Sequence, residues 1–213
     1  MEALALGYWF PLYAFARRKG LAAEEAEDMT QEFFAQRILT KQIFKGTHPS
    51  RGKFRSWLLT SLQNFLHNQH DRNMAQKRGG GQTHLSIDAH EGERRYLAEP
   101  SHDLTPEKLY TRAWAVTQLE LALNLLGERY EKRAQPDLFE ELKPFLPGSG
   151  DPPPHRIVAE RTGKSEAAIK MAVSRVRREF GAALRDTVGR TVSDRGELEE
   201  EIRELLEALS SPA

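Results

Sequence analysis

The sequence predicts an all-α protein with two helical domains, a flexible linker between them and a further helix near its C-terminal end. Apolar residues recur at three- and four-residue spacing, while the alternation of β-branched residues that marks strands is absent. Clusters of Gly and Pro interrupt this helical pattern at several points. A length of 213 residues suffices for one or two compact domains, each with its own core.

Composition excludes several classes of protein. The absence of cysteine rules out a disulfide framework, a thiolate metal site and a cysteine nucleophile, and it favours a reducing cytoplasm. No run approaches the ~18 apolar residues of a membrane span. The uncharged run 3–16 contains Pro11 and follows Glu2, so it is not typical of a signal peptide either.

The N-terminal domain, residues 1–78, is expected to contain three helices. They span Leu4–Lys19, about Ala23–Leu39 and about Phe54–Met74. Gly20 ends the first helix, and the Gly, Pro and Ser residues of 46–52 form a loop before the third.

The rest of the chain divides into a linker, a second domain and a tail. Residues 79–104 begin with three glycines and are polar without a sustained period, which predicts a linker. The second domain, 105–188, starts where Thr105 caps a helix with Pro106 at its first turn. The tail, 189–213, carries a helix that is acidic on one side and apolar on the other.

Charge is distributed unevenly, although 31 basic and 31 acidic residues give a net charge of zero. Residues 37–80 hold nine basic side chains against one acidic side chain, and residues 151–192 hold nine against five. The remaining blocks are acidic: 1–36, 81–150 and 193–213 carry net charges of −3, −4 and −5. Two separate basic blocks suggest a polyanion that is contacted at two places, whereas solvated helix faces are the simpler alternative.

Residues 155–184 have the spacing of a helix-turn-helix. Ala159 supplies the small residue where two helices cross, Gly163 the turn, and Ile169 the branched residue that seats the second helix. Ser165 is a natural cap for that second helix. Its buried stripe is expected to be Ile169, Val173, Val176, Phe180 and Leu184. Small, polar and basic residues then face outwards, as in a recognition helix; an ordinary hairpin with a solvated basic face is the alternative.

The third helix of the N-terminal domain combines a buried aromatic stripe with a polar face between basic ends. The polar face consists of Ser56, Thr60, Gln63, Asn64, His67 and Asp71. Such a face suits a single nucleic-acid strand, with amides contacting bases and cations holding the backbone, although a solvated face explains it almost as well. His67, His70 and Asp71 lack the partners that a zinc site needs, and no catalytic motif is present, so we expect no metal, no cofactor and no enzyme activity.

Three segments together resemble RNA polymerase sigma factors of the extracytoplasmic-function type. The segment 26–34 (AEDMTQEFF) resembles the region 2 signature, and 54–59 (FRSWLL) with Asn64 resembles the promoter-melting helix. The segment 159–175 resembles the region 4 helix-turn-helix. The YWFPLY and KRGGG segments and the acidic tail resemble a subgroup found in planctomycete-like bacteria.

The resemblance implies a transcription initiation factor whose partners are core RNA polymerase, promoter DNA and a regulator such as an anti-sigma protein. Polymerase binding would fall to Asp28, Gln31 and Glu32. Contacts to the −10 element would fall to Arg51, Lys53, Arg55, Thr60, Asn64, His67, Arg72, Lys77 and Arg78. Contacts to the −35 duplex would fall to Ser165, Ala167, Lys170, Met171, Ser174, Arg175 and Arg178.

Two other functions stay open at this point. A polymerase-independent helix-turn-helix repressor would dimerise through the helix over 109–130, and a metal-dependent nucleic-acid enzyme would use His67, His70 and Asp71. The role of the tail is open too. It either packs on a basic domain and shields a DNA-binding surface, or receives a regulatory partner, or completes the core of the second domain.

Overall fold

The computed structural model describes the backbone of residues 2–39, 53–75, 89–98, 104–192 and 194–210. Side chains are described for 5–36, 53–69, 92–98, 104–192 and 194–210. The described residues are helical with connecting turns and contain no strand, which confirms the all-α prediction for them. None of the helices in these ranges is long and apolar enough to cross a membrane.

The chain forms two compact units whose boundaries differ from the predicted domains. The first unit contains 1–117 together with 191–213, and the second contains 118–190. The described parts of the predicted linker 79–104, which are residues 89–98 and 104, belong to the first unit, and the boundary between the units falls inside one long helix. The predicted tail also belongs to the first unit, because its helix packs there.

The first unit is built around the aromatic N-terminal helix. Its helices are α1 (Glu2–Arg18), α2 (Ala23–Phe33), α3 (Phe54–Ala75), α4 (Ala89–Ala98), the first half of α5 (Pro106–Lys132), and α9 (Arg195–Ser210). A short π-helix, Phe34–Leu39, continues α2. Residues 7–16 of α1 are buried, and the rings of Trp9 and Tyr13 stack at 5.2 Å. The hydroxyl of the buried Tyr8 lies 3.1 Å from that of Thr191, and burial raises the pKa of Tyr8 to about 12.

Helix α4 lies within the segment 79–104 that the sequence predicts to be a flexible linker. Its Glu93 accepts hydrogen bonds from the guanidinium of Arg17 at 2.8 and 2.9 Å and from the Tyr13 hydroxyl at 2.5 Å. Arg95 lies over the ring of Phe10, 4.0 Å from its centroid. The sequence does not predict this helix because the segment is short and polar and contains Gly92. It is held on α1 by polar contacts rather than by an apolar stripe, which is the feature that sequence patterns reveal.

The second unit contains the end of α5, α6 (Pro136–Leu142), α7 (His155–Thr162) and α8 (Glu166–Val188). Buried apolar side chains of all four helices form its core: Leu126, Tyr130, Phe139, Leu142, Val158, Ile169, Val173, Val176 and Phe180. Ion pairs of Arg129 with Asp186 and of Arg133 with Glu179 join α5 to α8 at 2.7 and 3.0 Å. Arg177 donates to the carbonyl of Phe145 at 3.0 Å, which fixes the segment before α7 against α8.

Candidate nucleic-acid interface

The connection between α7 and α8 has the backbone geometry of a helix-turn-helix. Gly163 ends α7 in the left-handed conformation, with φ +66° and ψ 20°. The amide of Lys164 donates back to the carbonyl of Ala159 at 3.1 Å. The Ser165 hydroxyl then accepts from the amide of Ala168 at 3.2 Å and caps α8. Glycine and serine thus supply the positive φ and the capping oxygen that the sequence predicted.

The inner face of the two helices is the predicted apolar stripe. Val158 and Ala159 of α7 are buried, and so are Ile169, Val173, Val176, Phe180 and Leu184 of α8. These five α8 residues recur at spacings of three and four, which places them on one side of the helix. The opposite face of α8 is therefore fixed towards solvent.

The outer face of α8 presents every residue that was predicted there. Ser165, Ala167, Lys170, Met171, Ser174, Arg175 and Arg178 are all exposed. Met171 is 68% exposed, which is high for a large apolar side chain. Small and polar residues lie towards the start of the helix and arginines further along it. This order is typical of a helix that contacts base edges with its first turns and phosphates with its later ones.

The basic residues on and beside this face differ in whether they form ion pairs. Lys170 pairs with Glu166 at 2.8 Å, and Arg156 of α7 pairs with Glu160 at 2.5 Å. Among the residues that the structure describes, Arg175 and Arg178 form no ion pair. Their guanidinium groups can therefore bind a phosphate without first giving up a carboxylate.

A second polar surface lies on α3. Thr60, Asn64 and His67 are exposed and follow one another at spacings of four and three, so they share one face of the helix. Leu58, Leu62 and Phe65 are buried on the other side. The Thr60 hydroxyl already donates to the carbonyl of Ser56 at 3.0 Å. The amide of Asn64 and the ring of His67 are thus the groups on this face best placed to contact bases.

Two of the predicted −10 cations, Lys53 and Arg55, are engaged by carboxylates of α9. Arg55 is buried, and its Nε donates to Glu201 of α9 at 3.2 Å while its Nη2 bonds Glu204. Lys53 hydrogen-bonds Glu204 and lies 3.6 Å from both Glu200 and Glu201. Arg55 is therefore an interior residue of the first unit rather than part of an open cationic surface.

The pKa values of this cluster follow from its ion pairs. Burial acts to lower the pKa of Arg55, but the charge and hydrogen bond of Glu201, together with the charges of Tyr110 and Glu204, outweigh it, so that pKa is raised. For Lys53 burial again acts to lower the pKa, and the hydrogen bond and charge of Glu204 raise it overall. Burial acts to raise the pKa of Glu204, but Lys53 and Arg55 together lower it. Each group is held in its charged form by its partners.

The remaining predicted −10 cations fall outside the described part of the chain. This applies to Arg51, Lys77 and Arg78, and to the side chain of Arg72. It also applies to the side chains of His70 and Asp71, the candidate metal ligands that accompany His67. Within the described ranges no group of three or more His, Asp or Glu side chains is arranged to hold a metal ion.

The predicted polymerase-binding residues of α2 are not equally exposed. Asp28 is exposed and Glu32 is half-buried, with a hydrogen bond from Gln36 at 2.6 Å. Gln31 is buried and donates to Glu27 at 2.8 Å. The structure therefore brings Asp28 and Glu32 to the surface and places Gln31 as a support for Glu27 instead.

The helix over 109–130 that a repressor would use for dimerisation has its main apolar residues inside the chain. Leu109 and Trp114 are buried in the first unit, and Leu126 and Tyr130 are buried in the second. Val116 and Leu123 are half-buried. Packing within one chain therefore explains the apolar residues of this helix.

Comparison of the chain with protein-family models, with curated proteins and with solved structures found no match.

The residues that sequence reasoning missed are the partners of Arg55. Besides Glu201 and Glu204, its guanidinium donates to the Thr111 hydroxyl at 3.1 Å and lies 4.6 Å from the centroid of the Trp114 ring. The Tyr110 hydroxyl donates to the Arg55 carbonyl at 3.1 Å. The one available signal was the excess of acidic residues in the tail, which indicates a cationic partner but does not locate it.

Proposed function

We propose that this chain is a transcription initiation factor of the sigma type without catalytic activity of its own. It binds core RNA polymerase through α2 and recognises promoter DNA at two places. Helix α8 contacts a −35 duplex element, and the exposed face of α3 contacts the melted −10 strand.

The observation that carries the proposal is the outward face of α8. A helix-turn-helix fixes its second helix on the domain so that the free face can enter the major groove. The first turns of α8 present small and polar side chains, which allow close approach to base edges. Arg175 and Arg178 follow on the same exposed face and form no ion pair with the described residues, so they are free to hold phosphates.

The face of α3 supports the second DNA contact. Unpaired bases of a single strand expose their hydrogen-bonding edges, and amide and imidazole side chains can pair with those edges. Asn64 and His67 present such groups on one exposed side of α3. Lys53 stands at the start of this helix, where it pairs with carboxylates of α9, and it supplies a cation for the strand's backbone when the strand takes the place of a carboxylate.

The surface of α2 supports the polymerase contact. Glu24, Glu25 and Asp28 are exposed, and Glu32 is half-buried, so α2 presents an acidic side to solvent. An acidic helix face suits a basic surface on a partner protein. Within the trio that the family resemblance implies, Asp28 and Glu32 would make this contact, and Gln31 would hold Glu27 in place.

Transcription in vitro tests the proposal. Purified full-length protein is mixed with core RNA polymerase and a randomised promoter library, and the transcripts are sequenced. We expect transcripts whose start sites share two upstream elements. A chain that neither binds core polymerase nor directs initiation would refute the proposal.

A second experiment tests the role of α8. Replacing Arg175 and Arg178 by Ala is expected to weaken promoter binding and to reduce the salt slope by about 1 for each lost phosphate contact. Lys132→Ala is the matched control, because it removes one exposed cation of the second unit outside the helix-turn-helix. Equal effects of the arginine variants and the control would argue against a DNA-binding face on α8.

The repressor alternative receives less support. Its expected dimerisation helix, α5, has its large apolar residues buried within the single chain. The same experiments separate the two functions, since a repressor would bind duplex DNA tightly as a dimer without polymerase.

A further inference from the structure

The acidic helix α9 meets α3 at the point where α3 begins. Lys53 immediately precedes α3, and its carbonyl accepts the hydrogen bond from the Trp57 amide that starts the helix. Glu200, Glu201 and Glu204 of α9 all lie within ion-pair distance of Lys53 or Arg55. A helix start carries partial positive charge, so this point attracts anions even before the two cations are counted.

The inner part of this contact is fixed. The side chains of Arg55 and Glu201 are only 6% and 4% exposed, and they pair at 3.2 Å. Leu205 and Ile202 of the same helix are buried beside them. Separating this pair would leave a charge unpaired in the interior, which typically costs about 3–5 kcal/mol. Helix α9 therefore stays on the first unit.

The outer part of the contact between α9 and α3 differs from the inner part, because its carboxylates are exposed to solvent. Glu200 and Glu204 are 56% and 39% exposed at their side chains, and both pair with Lys53. Lys53 is 19% exposed and Glu204 also pairs with the buried Arg55, so the Lys53–Glu200 pair is the one nearest to the solvent-exposed kind, which contributes little stability, typically about 0–1 kcal/mol, and exchanges readily with other ions. Glu204 also lines a cleft of about 300 Å³ between α9 and α5, which leaves room for its carboxylate to turn away.

We propose that Glu200 and Glu204 occupy the position of a DNA phosphate at Lys53 and so act as a built-in competitor for single-stranded DNA. Glu201 and the apolar side of α9 anchor the helix, and the two outer carboxylates yield Lys53 when a strand lies along α3. The proposal rests on the proposed function of α3 and adds to it a regulatory contact within the chain. The proposal explains why the basic block 37–80, which contains α3, is balanced by the acidic segment 193–213, although the two are far apart in the sequence.

Binding of single-stranded DNA to the full chain tests the proposal. A fluorescent 20-nucleotide thymidine oligomer is titrated with wild type and with the Glu200→Gln/Glu204→Gln variant at several salt concentrations. We expect the variant to bind roughly 3- to 10-fold more tightly and its salt slope to steepen by about 0.7, as one phosphate contact is gained. Adding Lys53→Gln to the double variant should abolish the gain.

The matched control is Glu128→Gln/Glu131→Gln. It removes the same two negative charges from exposed positions in the second unit, where neither carboxylate forms an ion pair with a described residue. This control should change affinity less than about twofold, since only distant and screened charge is lost. An equal gain in the control, or a gain that survives Lys53→Gln, would overturn the proposal.

Two further measurements keep the result decisive. Glu200→Gln alone leaves both partners of Arg55 in place, so it tests the competition even if the double variant folds poorly. In vitro transcription with the same proteins separates the two ideas. If the double variant binds DNA as wild type does and the protein directs promoter-dependent transcription, only the proposal that Glu200 and Glu204 compete with DNA is refuted. If the variant binds DNA more tightly but no transcripts form, only the proposal that the chain is an initiation factor is refuted.

Discussion

Arg55 and Glu201 are 146 residues apart in the sequence and form a buried ion pair at 3.2 Å. Arg55 lies near the start of α3 and Glu201 near the middle of α9, so the pair joins the two ends of the first unit. Since the same guanidinium also contacts Thr111 and Trp114, three helices depend on one side chain. An arginine that the sequence assigns to DNA contact thus organises a domain core.

Removing this arginine should destabilise the first unit. Arg55→Met leaves Glu201 buried without its closest cation, and we expect the free energy of unfolding to fall by about 3 kcal/mol in urea titrations. Arg55→Met/Glu201→Leu should recover part of that loss because no buried charge remains. The exposed Arg203 of α9 provides the control, and Arg203→Ala should stay within about 0.5 kcal/mol of wild type. A loss of similar size in the control would contradict the account.

Gly92 should not tolerate alanine although it lies in a helix. Exchanging a helical glycine for alanine ordinarily stabilises by about 1 kcal/mol. Here a Cβ would lie 2.8 Å from Cζ3 of the buried Trp9 ring, so α4 or the ring must shift. We expect Gly92→Ala to destabilise by about 1–3 kcal/mol, as overpacking does. Introduced into a Trp9→Leu variant, Gly92→Ala should cost less than it does in wild type, because the ring that the Cβ meets is gone. Thermal unfolding of the four proteins measures this difference; a stabilised single Gly92→Ala variant would show that α4 does not pack closely on α1.

Gly163 should be replaceable by asparagine but not by a branched residue. No atom lies within 4 Å of a Cβ at this position, so the cost of substitution comes from the φ of +66° alone. Left-handed backbone costs an ordinary residue about 1–2 kcal/mol, and asparagine less. We expect unfolding free energies in the order Gly, Asn, Ala, Val, with DNA affinity following the same order. If Val matched Gly, the turn geometry would be wrong.

The Arg17–Glu93 pair should make stability sensitive to acid. The hydrogen bond from Arg17 holds the pKa of Glu93 below its ordinary value of 4.5, and the Tyr13 hydroxyl adds to this although burial opposes it. A lowered pKa in the folded state means that the contribution is complete above pH 4.5 and is lost as the pH falls through the folded-state value. Glu93→Gln should therefore lose stability at neutral pH and show a flatter decline between about pH 5 and about pH 3.

Glu128→Gln serves as the control for this pH series. Glu128 is exposed in the second unit and forms no ion pair with a described residue, so its variant should keep the wild-type profile. If Glu93→Gln declined as steeply as wild type, the acid sensitivity would have to arise at other carboxylates, such as Glu204, whose pKa is also lowered.

Local sequence signals were sufficient for the helix-turn-helix and for the long helices, but not for α4. The positions of Ala159, Gly163, Ser165 and Ile169 predicted the turn, the cap and the buried stripe, and each is found where expected. This succeeds because a helix-turn-helix is built from contacts between residues that are close in sequence. The period of the apolar residues then determines which face of α8 remains exposed.

Tertiary structure alone decided which of the charged residues are available. The sequence by itself determined that the chain is helical, that its positive charge lies in two blocks and that α8 has an outward face. Only folding showed that α4 packs on α1 through Glu93, that Gln31 turns inward and that α9 covers Lys53 and Arg55. The spacing of charged residues in a sequence does not show which residue each will pair with. An ion pair between positions 146 residues apart exists only once the intervening chain has folded.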